Sequence, residues 1–115
     1  TVPIDVSITA VATNAAGGFT NDATKLTGTG NDKKVMFAVR KSTEAVPTSA
    51  AGDKTKWFDP DANYGTTPYK VSTTAGDNTL AASAVLEMKL YGATVQGWSN
   101  NETFTVTPTF TISVH

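Results

Sequence analysis

The sequence predicts an all-β protein, an antiparallel β-sandwich, and three observations carry that prediction. Both ends of the chain alternate apolar and polar residues with a period of two. The middle is cut into short apolar runs by turn-forming residues, and no segment holds a helical period of useful length. At 115 residues the chain fits a single sandwich domain over 1–115, with no internal repeat and no linker.

Residues 1–12 open the chain as a half-buried strand. Val2, Ile4, Val6, Ile8, Ala10 and Ala12 fall on one face and Thr1, Asp5, Ser7 and Thr9 on the other, with Val11 the one exception. Asn14 to Gly18 then supplies a turn, in which Gly17-Gly18 is a strong breaker. Lys33 to Arg40 reads as a strand apolar on both faces, Val35, Phe37 and Val39 against Met36 and Ala38, and is expected to lie centrally. Ser42 to Asp53 is polar, carries Pro47 and Gly52, and is expected to be the long or mobile loop. Pro68 to Thr74 is a weak strand holding Tyr69 and Val71. Val85 to Val95 is a stronger one, with Leu86, Met88 and Leu90 expected inward and Glu87 and Lys89 outward. The segments 28–32, 76–78 and 97–101 have the composition of turns. The closing strand sets Phe104, Val106, Phe110, Ile112 and Val114 on an apolar face expected to be buried, against a ladder of Thr and Ser hydroxyls. Pro108 lies within this run and cannot donate a ladder hydrogen bond, so its neighbourhood belongs to an edge or a bulge.

Composition narrows the functions. The formal net charge is −1 with 17% charged residues, which gives no field to gather nucleic acid or anionic lipid. No apolar run approaches the roughly 18 residues of a membrane span. There is no cysteine, and the single histidine is His115, so disulfides, thiolate metal sites and most histidine catalysis are excluded. Threonine is the commonest residue, with 21 copies against a single arginine, as in many secreted β-proteins. The chain opens on Thr1 without Met and reads as a mature or trimmed form.

The candidate chemistry is sparse. Asp59-Pro-Asp61-Ala-Asn63-Tyr-Gly65 sets oxygens at alternating positions, as a calcium loop begins. Its sixth residue is Tyr64 rather than glycine and its twelfth is Lys70 rather than glutamate, so it reads as a turn with surface carboxylates. Gly28-Thr-Gly30-Asn-Asp-Lys33 lacks the third glycine and the Lys-Ser/Thr close of a phosphate loop, and reads as a hairpin turn. Lys33, Lys34, Arg40 and Lys41 form a local basic patch, expected to be solvated strand ends. Asn101-Glu-Thr103 is a glycosylation sequon. No nucleophile, base and orienting group stand together, so the chain is not expected to be an enzyme, and no metal or cofactor is expected. Trp57, Tyr64, Tyr69 and Trp98 cluster in the less regular half. They serve either as stacking platforms for a sugar or as cover for the sandwich core, with Trp98 the more exposed of them.

The closing run Glu102-Thr-Phe104-Thr-Val106-Thr-Pro108-Thr-Phe110-Thr-Ile112-Ser-Val114 resembles the last strand of chaperone–usher fimbrial subunits, the pilins. Val85-Leu-Glu-Met-Lys-Leu-Tyr-Gly resembles the strand before it, and Ile4-Asp-Val6-Ser-Ile8-Thr-Ala10 resembles the N-terminal donor strand, best in the cysteine-free colonisation-factor branch. The resemblance implies an immunoglobulin-like sandwich lacking its final strand, completed by the N-terminal extension of the next subunit. Residues 1–12 would then be the donor strand, inserting Val2, Ile4, Val6, Ile8 and Ala10, and 13–115 the sandwich body. Phe104, Val106, Phe110, Ile112 and Val114 would form part of the acceptor edge. The resemblance also implies an extracellular structural subunit of a bacterial surface fimbria, with itself as polymer partner, a periplasmic chaperone and an outer-membrane usher as assembly partners, and a host glycan or protein as receptor. A non-catalytic carbohydrate-binding or adhesin module, and a phage virion decoration protein, are the alternatives of the same fold class.

Burial of Val2, Ile4, Val6 and Ile8 would contribute about 1.5–3 kcal/mol each. Their sum of roughly 6–12 kcal/mol is comparable with the about 5–15 kcal/mol net stability of a whole domain. Whether that strand closes its own body or a neighbour's stays open in the sequence.

Overall fold

The computed structural model describes residues 2–26, 28–74, 76–94 and 96–115. Five strands form: β1 Ile4–Thr13, β2 Val35–Lys41, β3 Thr79–Leu80, β4 Met88–Thr94 and β5 Val106–Val114. Two short 3-10 turns, Ala23–Leu26 and Ala51–Lys56, are the helical elements among the described residues. The strands make two antiparallel sheets, one ordered β3-β1-β5 and one pairing β2 with β4. The all-β expectation holds at this level.

The first and last strands pair with each other. β1 runs antiparallel to β5 from Ile4 opposite Val114 to Thr13 opposite Val106. Its other edge is held by Ile8–Tyr69 backbone bonds of 3.1 and 2.9 Å, by the Val6 N–H to the Asn78 carbonyl, and by β3. β1 is thus the central strand of its sheet, and β5 is an edge. Both ends of the ribbon are tied, by Asn14 Oδ1 accepting from the Thr105 N–H at 2.7 Å and by the His115 N–H donating to the Pro3 carbonyl at 3.0 Å.

The register slips by one residue between Ile8 and Ala10. Ile8 opposes Phe110 and Ala10 opposes Thr109, so Thr9 is the extra residue of a bulge. A one-residue slip exchanges the faces of everything beyond it. Val6 and Ile8 point into the core, while Ala10 and Ala12 are exposed and Val11 packs inward in their place. The one exception to the alternation is therefore the mark of the bulge. Val2, expected on the buried face, is 63% exposed.

The core lies between the sheets, where Ile8, Val39, Phe58, Tyr69 and Val71 pack together with Val11, Phe37, Leu86, Met88 and Val106 around them. A second cluster, Met36, Ala38 and Trp57, covers the other face of β2. The Lys33–Arg40 segment is buried on both faces as expected, but not through a central place in a sheet. β4 pairs with one edge, Gly18 and Thr20 bond Val35 on the other, and Trp57 with Ala23 and Leu26 covers the outer face. Pro68–Thr74 forms no regular strand; it touches the sheets through Tyr69 to Ile8 and through the Lys41 N–H to the Val71 carbonyl.

Two further expectations are corrected. Leu86 and Met88 do face the core, but Leu90, opposite Val39 on β4, is 64% exposed; Val95 lies outside the described residues. The apolar face of β5 is covered only where it starts. Val106 packs on the core, whereas Phe110, Ile112 and Val114 are 41%, 64% and 71% exposed. They oppose Ile8, Val6 and Ile4 of β1, of which Ile8 and Val6 are buried, so the cover reaches β1 but stops short of the outer strand. The 42–53 segment is a long loop up to the 3-10 turn that begins at Ala51, with Thr48 bonded to Asp53 and the Trp57 indole N–H donating to the Thr48 carbonyl at 3.1 Å.

Candidate functional site

Two places can carry function: the strand slot beside β5, and a cleft walled by the irregular half of the chain. In the slot, β1 lies against the strand that holds Val106, Phe110, Ile112 and Val114. Of the donor-strand residues, Val6 and Ile8 are buried, Ile4 is half-buried, and Val2 and Ala10 are exposed. Phe104 falls just before β5 and packs against Trp98, ring centroids 5.0 Å apart. Among the described residues, the outer edge of β5 pairs with no strand.

The cleft has a volume of about 730 Å³. Its position follows from an aromatic knot on β2. The Phe58 N–H donates to the Phe37 carbonyl, which sets the Phe58 ring in the core. Tyr69 stands edge-on to that ring at 4.7 Å, and Tyr64 edge-on to both at 6.4 and 5.9 Å. The loop between Phe58 and Tyr69 hangs from these rings. It is tightened by Asp59 Oδ1 accepting from the Asp61 N–H, by the Tyr64 hydroxyl accepting from the Asp59 N–H at 2.7 Å, and by the Asn63 carbonyl accepting from Thr66 and Thr67. The Asp59–Gly65 segment is a turn, as its spacing indicated. Among the described residues no three His, Asp or Glu side chains gather to hold a metal.

Behind the cleft runs a polar network. The Arg40 side chain is 1% exposed and donates from Nε and Nη2 to Glu44 and from Nη1 to the Lys70 carbonyl at 2.8 Å. Glu44 also accepts from the Ser72 hydroxyl and the Thr73 N–H, and Ser72 continues to Asp77, which pairs with Lys41. Burial pushes the Glu44 carboxyl up, but the bonds from Thr73, Arg40 and Ser72 outweigh it and hold the group below its ordinary value. The Lys41 ammonium and the Ser72 hydroxyl do the same for Asp77. The expected solvated basic patch is therefore absent. Arg40 and Lys41 are paired here, Lys33 pairs with Glu102, and Lys34 donates to the Gly17 carbonyl.

Three of the four sequence-predicted aromatics, Trp57, Tyr64 and Tyr69, line this one cleft. Two of them belong mainly to the core. Trp57 is 7% exposed, and Tyr69 is 3% exposed with its hydroxyl bonded to Val39, Lys56 and Arg40. Burial raises both tyrosine hydroxyls above their ordinary value. Tyr64, half-buried, offers the ring surface. Trp98 stands apart from the cleft, half-buried on Phe104 rather than presented at a turn tip, and its indole N–H is buried without a hydrogen-bond partner among the described residues. Asn63, named in the sequence only as part of the Asp59–Gly65 turn, lines the cleft too, and sequence reasoning missed Asn21, Thr66 and Thr67 beside it. The only signal for them is that each is a neutral polar residue near an aromatic one.

Comparison with known protein families, with curated sequences and with solved structures returns no match. No helix among the described residues is long and apolar enough to cross a membrane.

Proposed function

We propose that this chain is a structural subunit that assembles with copies of itself by exchanging β1, as a fimbrial subunit on a bacterial surface does. The observation that carries the reading is the place of β1. It is first in the sequence yet central in its sheet, held on both edges, and it delivers Val6 and Ile8 to the core. In the structure the chain's own β1 fills the slot, and a second copy carries the same side chains to replace it in exchange. Two buried side chains contribute about 3–6 kcal/mol together at about 1.5–3 kcal/mol each, before the entropy of ordering the strand. That is a large share of the about 5–15 kcal/mol net stability of a domain, so the domain should depend on the strand.

Exposed Phe110, Ile112 and Val114 on the free edge favour association in the same way. Large apolar side chains in a row are uncommon on the surface of a protein that stays alone. The immunoglobulin-like completion by a donor strand, the chaperone and usher, and the extracellular location belong to this proposal.

The experiment is refolding of the full chain at increasing concentration, followed by size exclusion with light scattering, with and without an excess of a peptide spanning residues 1–13. A ladder of multiples of 12.0 kDa that the peptide suppresses is the expected result. A monomer at every concentration, or an assembly indifferent to the peptide, sinks the proposal.

A further inference from the structure

We infer that the cleft beside Tyr64 is a binding site for a neutral saccharide. Its volume of about 730 Å³ lies within the roughly 300–1,000 Å³ of small-ligand sites. The charges on its wall cancel. Asp59 offsets Lys70, and the Arg40 guanidinium is neutralised by Glu44 behind it. An anionic or cationic ligand therefore meets no net attraction there.

The remaining polar groups are of the kind that bind hydroxyls. The side-chain amides of Asn21 and Asn63 and the hydroxyls of Thr66 and Thr67 have no hydrogen-bond partner among the described residues, so each can both donate and accept toward the cleft. The Tyr64 hydroxyl accepts from Asp59 and keeps its own proton for a ligand. A ligand that answers this set carries several hydroxyls of its own and no charge. The Tyr64 ring adds an apolar face for sugar C–H groups. It is held nearly perpendicular to Phe58 and Tyr69, at 66° and 82°, so its orientation is set before a ligand arrives.

The cleft takes no residue from β1 or β5, so the inference stands whether or not β1 exchanges between copies. The test uses the full-length ¹⁵N-labelled chain and amide spectra recorded with methyl α-mannoside, methyl β-galactoside, N-acetylglucosamine and lactose, and with glucuronate and sialyllactose as charged probes. The expected result is a saturable change, with at least one neutral probe, confined to amides around 21 and 59–70. Asn63→Ala combined with Thr66→Val should weaken it by about tenfold, the loss of one or two hydrogen bonds. Neither side chain supports the fold by a hydrogen bond, so the variant's own dispersed spectrum shows that it is folded. Silence with every neutral probe overturns the inference, as do changes mapping elsewhere, an unaffected double variant, or saturation only by the charged probes.

Discussion

Ile8 and Ile112 are both isoleucines on the core-side faces of neighbouring strands, two residues apart along the β1–β5 ladder, yet they sit in opposite environments. Ile8 is 0% exposed and Ile112 is 64% exposed. Truncating each to alanine separates what the alternation pattern treats as equivalent. Ile8→Ala removes buried methyl groups against Val39, Phe58 and Tyr69, and a fully buried Ile→Ala change costs about 2–5 kcal/mol. Ile112→Ala removes atoms already in water and should fall within about 0.5 kcal/mol of the parent. Urea unfolding at a dilution that keeps the chain monomeric reads both. With a slope of about 1.5 kcal/mol per molar, within the usual small-protein range, Ile8→Ala lowers the midpoint by about 1.3–3.3 M and Ile112→Ala by under about 0.4 M. Equal losses, or the reverse order, would refute the placement of β5 and with it the account of an uncovered apolar edge.

Removing the Glu44 carboxylate by Glu44→Ala leaves the Arg40 guanidinium buried without its counter-charge and should cost about 3–5 kcal/mol, read as a lowered melting temperature; adding Arg40→Met should recover much of the loss. Acid should unfold the chain through carboxylates whose folded pKa is depressed: Asp53, held at about 2 by Lys56 and by the backbone and hydroxyl of Thr48, together with Glu44 and Asp77. Their contribution is complete above the ordinary carboxylate range and is lost as pH falls from there toward about 2, so urea midpoints should be level near neutrality and drop below that range, with Asp53→Asn flattening the most acidic part. A Cβ at Gly17 would lie 2.3 Å from the Asp32 carbonyl oxygen and 2.5 Å from the Lys33 carbonyl carbon, both backbone atoms, so Gly17→Ala should cost at least about 1–3 kcal/mol in the same urea assay. Gly52→Ala, with open space and no positive φ, should be close to neutral.

Which parts of this were legible in the sequence follows from the range of the interactions. Period-two alternation located β1 and β5 to within a few residues, because it records which side of a strand is apolar. It does not report how far cover reaches across a sheet, and Phe110, Ile112, Val114 and Leu90 stand exposed on β5 and β4 although their partners Ile8, Val6 and Val39 are buried. The bulge was visible only as the misplaced Val11. Arg40 and Glu44 looked like a strand end and a loop charge, and their pairing depends on a turn that brings Glu44 back over β2. The aromatic group of the cleft was apparent as a cluster. What decides which ring stays available is the bonding of the Tyr69 hydroxyl to Val39, 30 residues away, and to Lys56, 13 residues away. Nothing local in the sequence reports those contacts.

The free edge of β5 gives the assembly proposal its direction. Edge strands that must remain single are usually blunted by lysine, proline or a bulge. β4, the edge of the other sheet, carries Lys89 among its seven residues. β5 has no charged residue from Val106 to Val114, and its one interruption, Pro108, stands toward the end where Val106 is already packed on the core. The stretch from Thr109 to Val114 is therefore unguarded, and it is the stretch that pairs with Ile4, Val6 and Ile8 of β1. Exposed apolar residues and the strand proposed to exchange thus lie side by side. If β1 withdraws, Phe110, Ile112 and Val114 lose their remaining neighbour together with the core's cover, and the surface left open is complementary to one thing already specified by the sequence, the β1 of another copy.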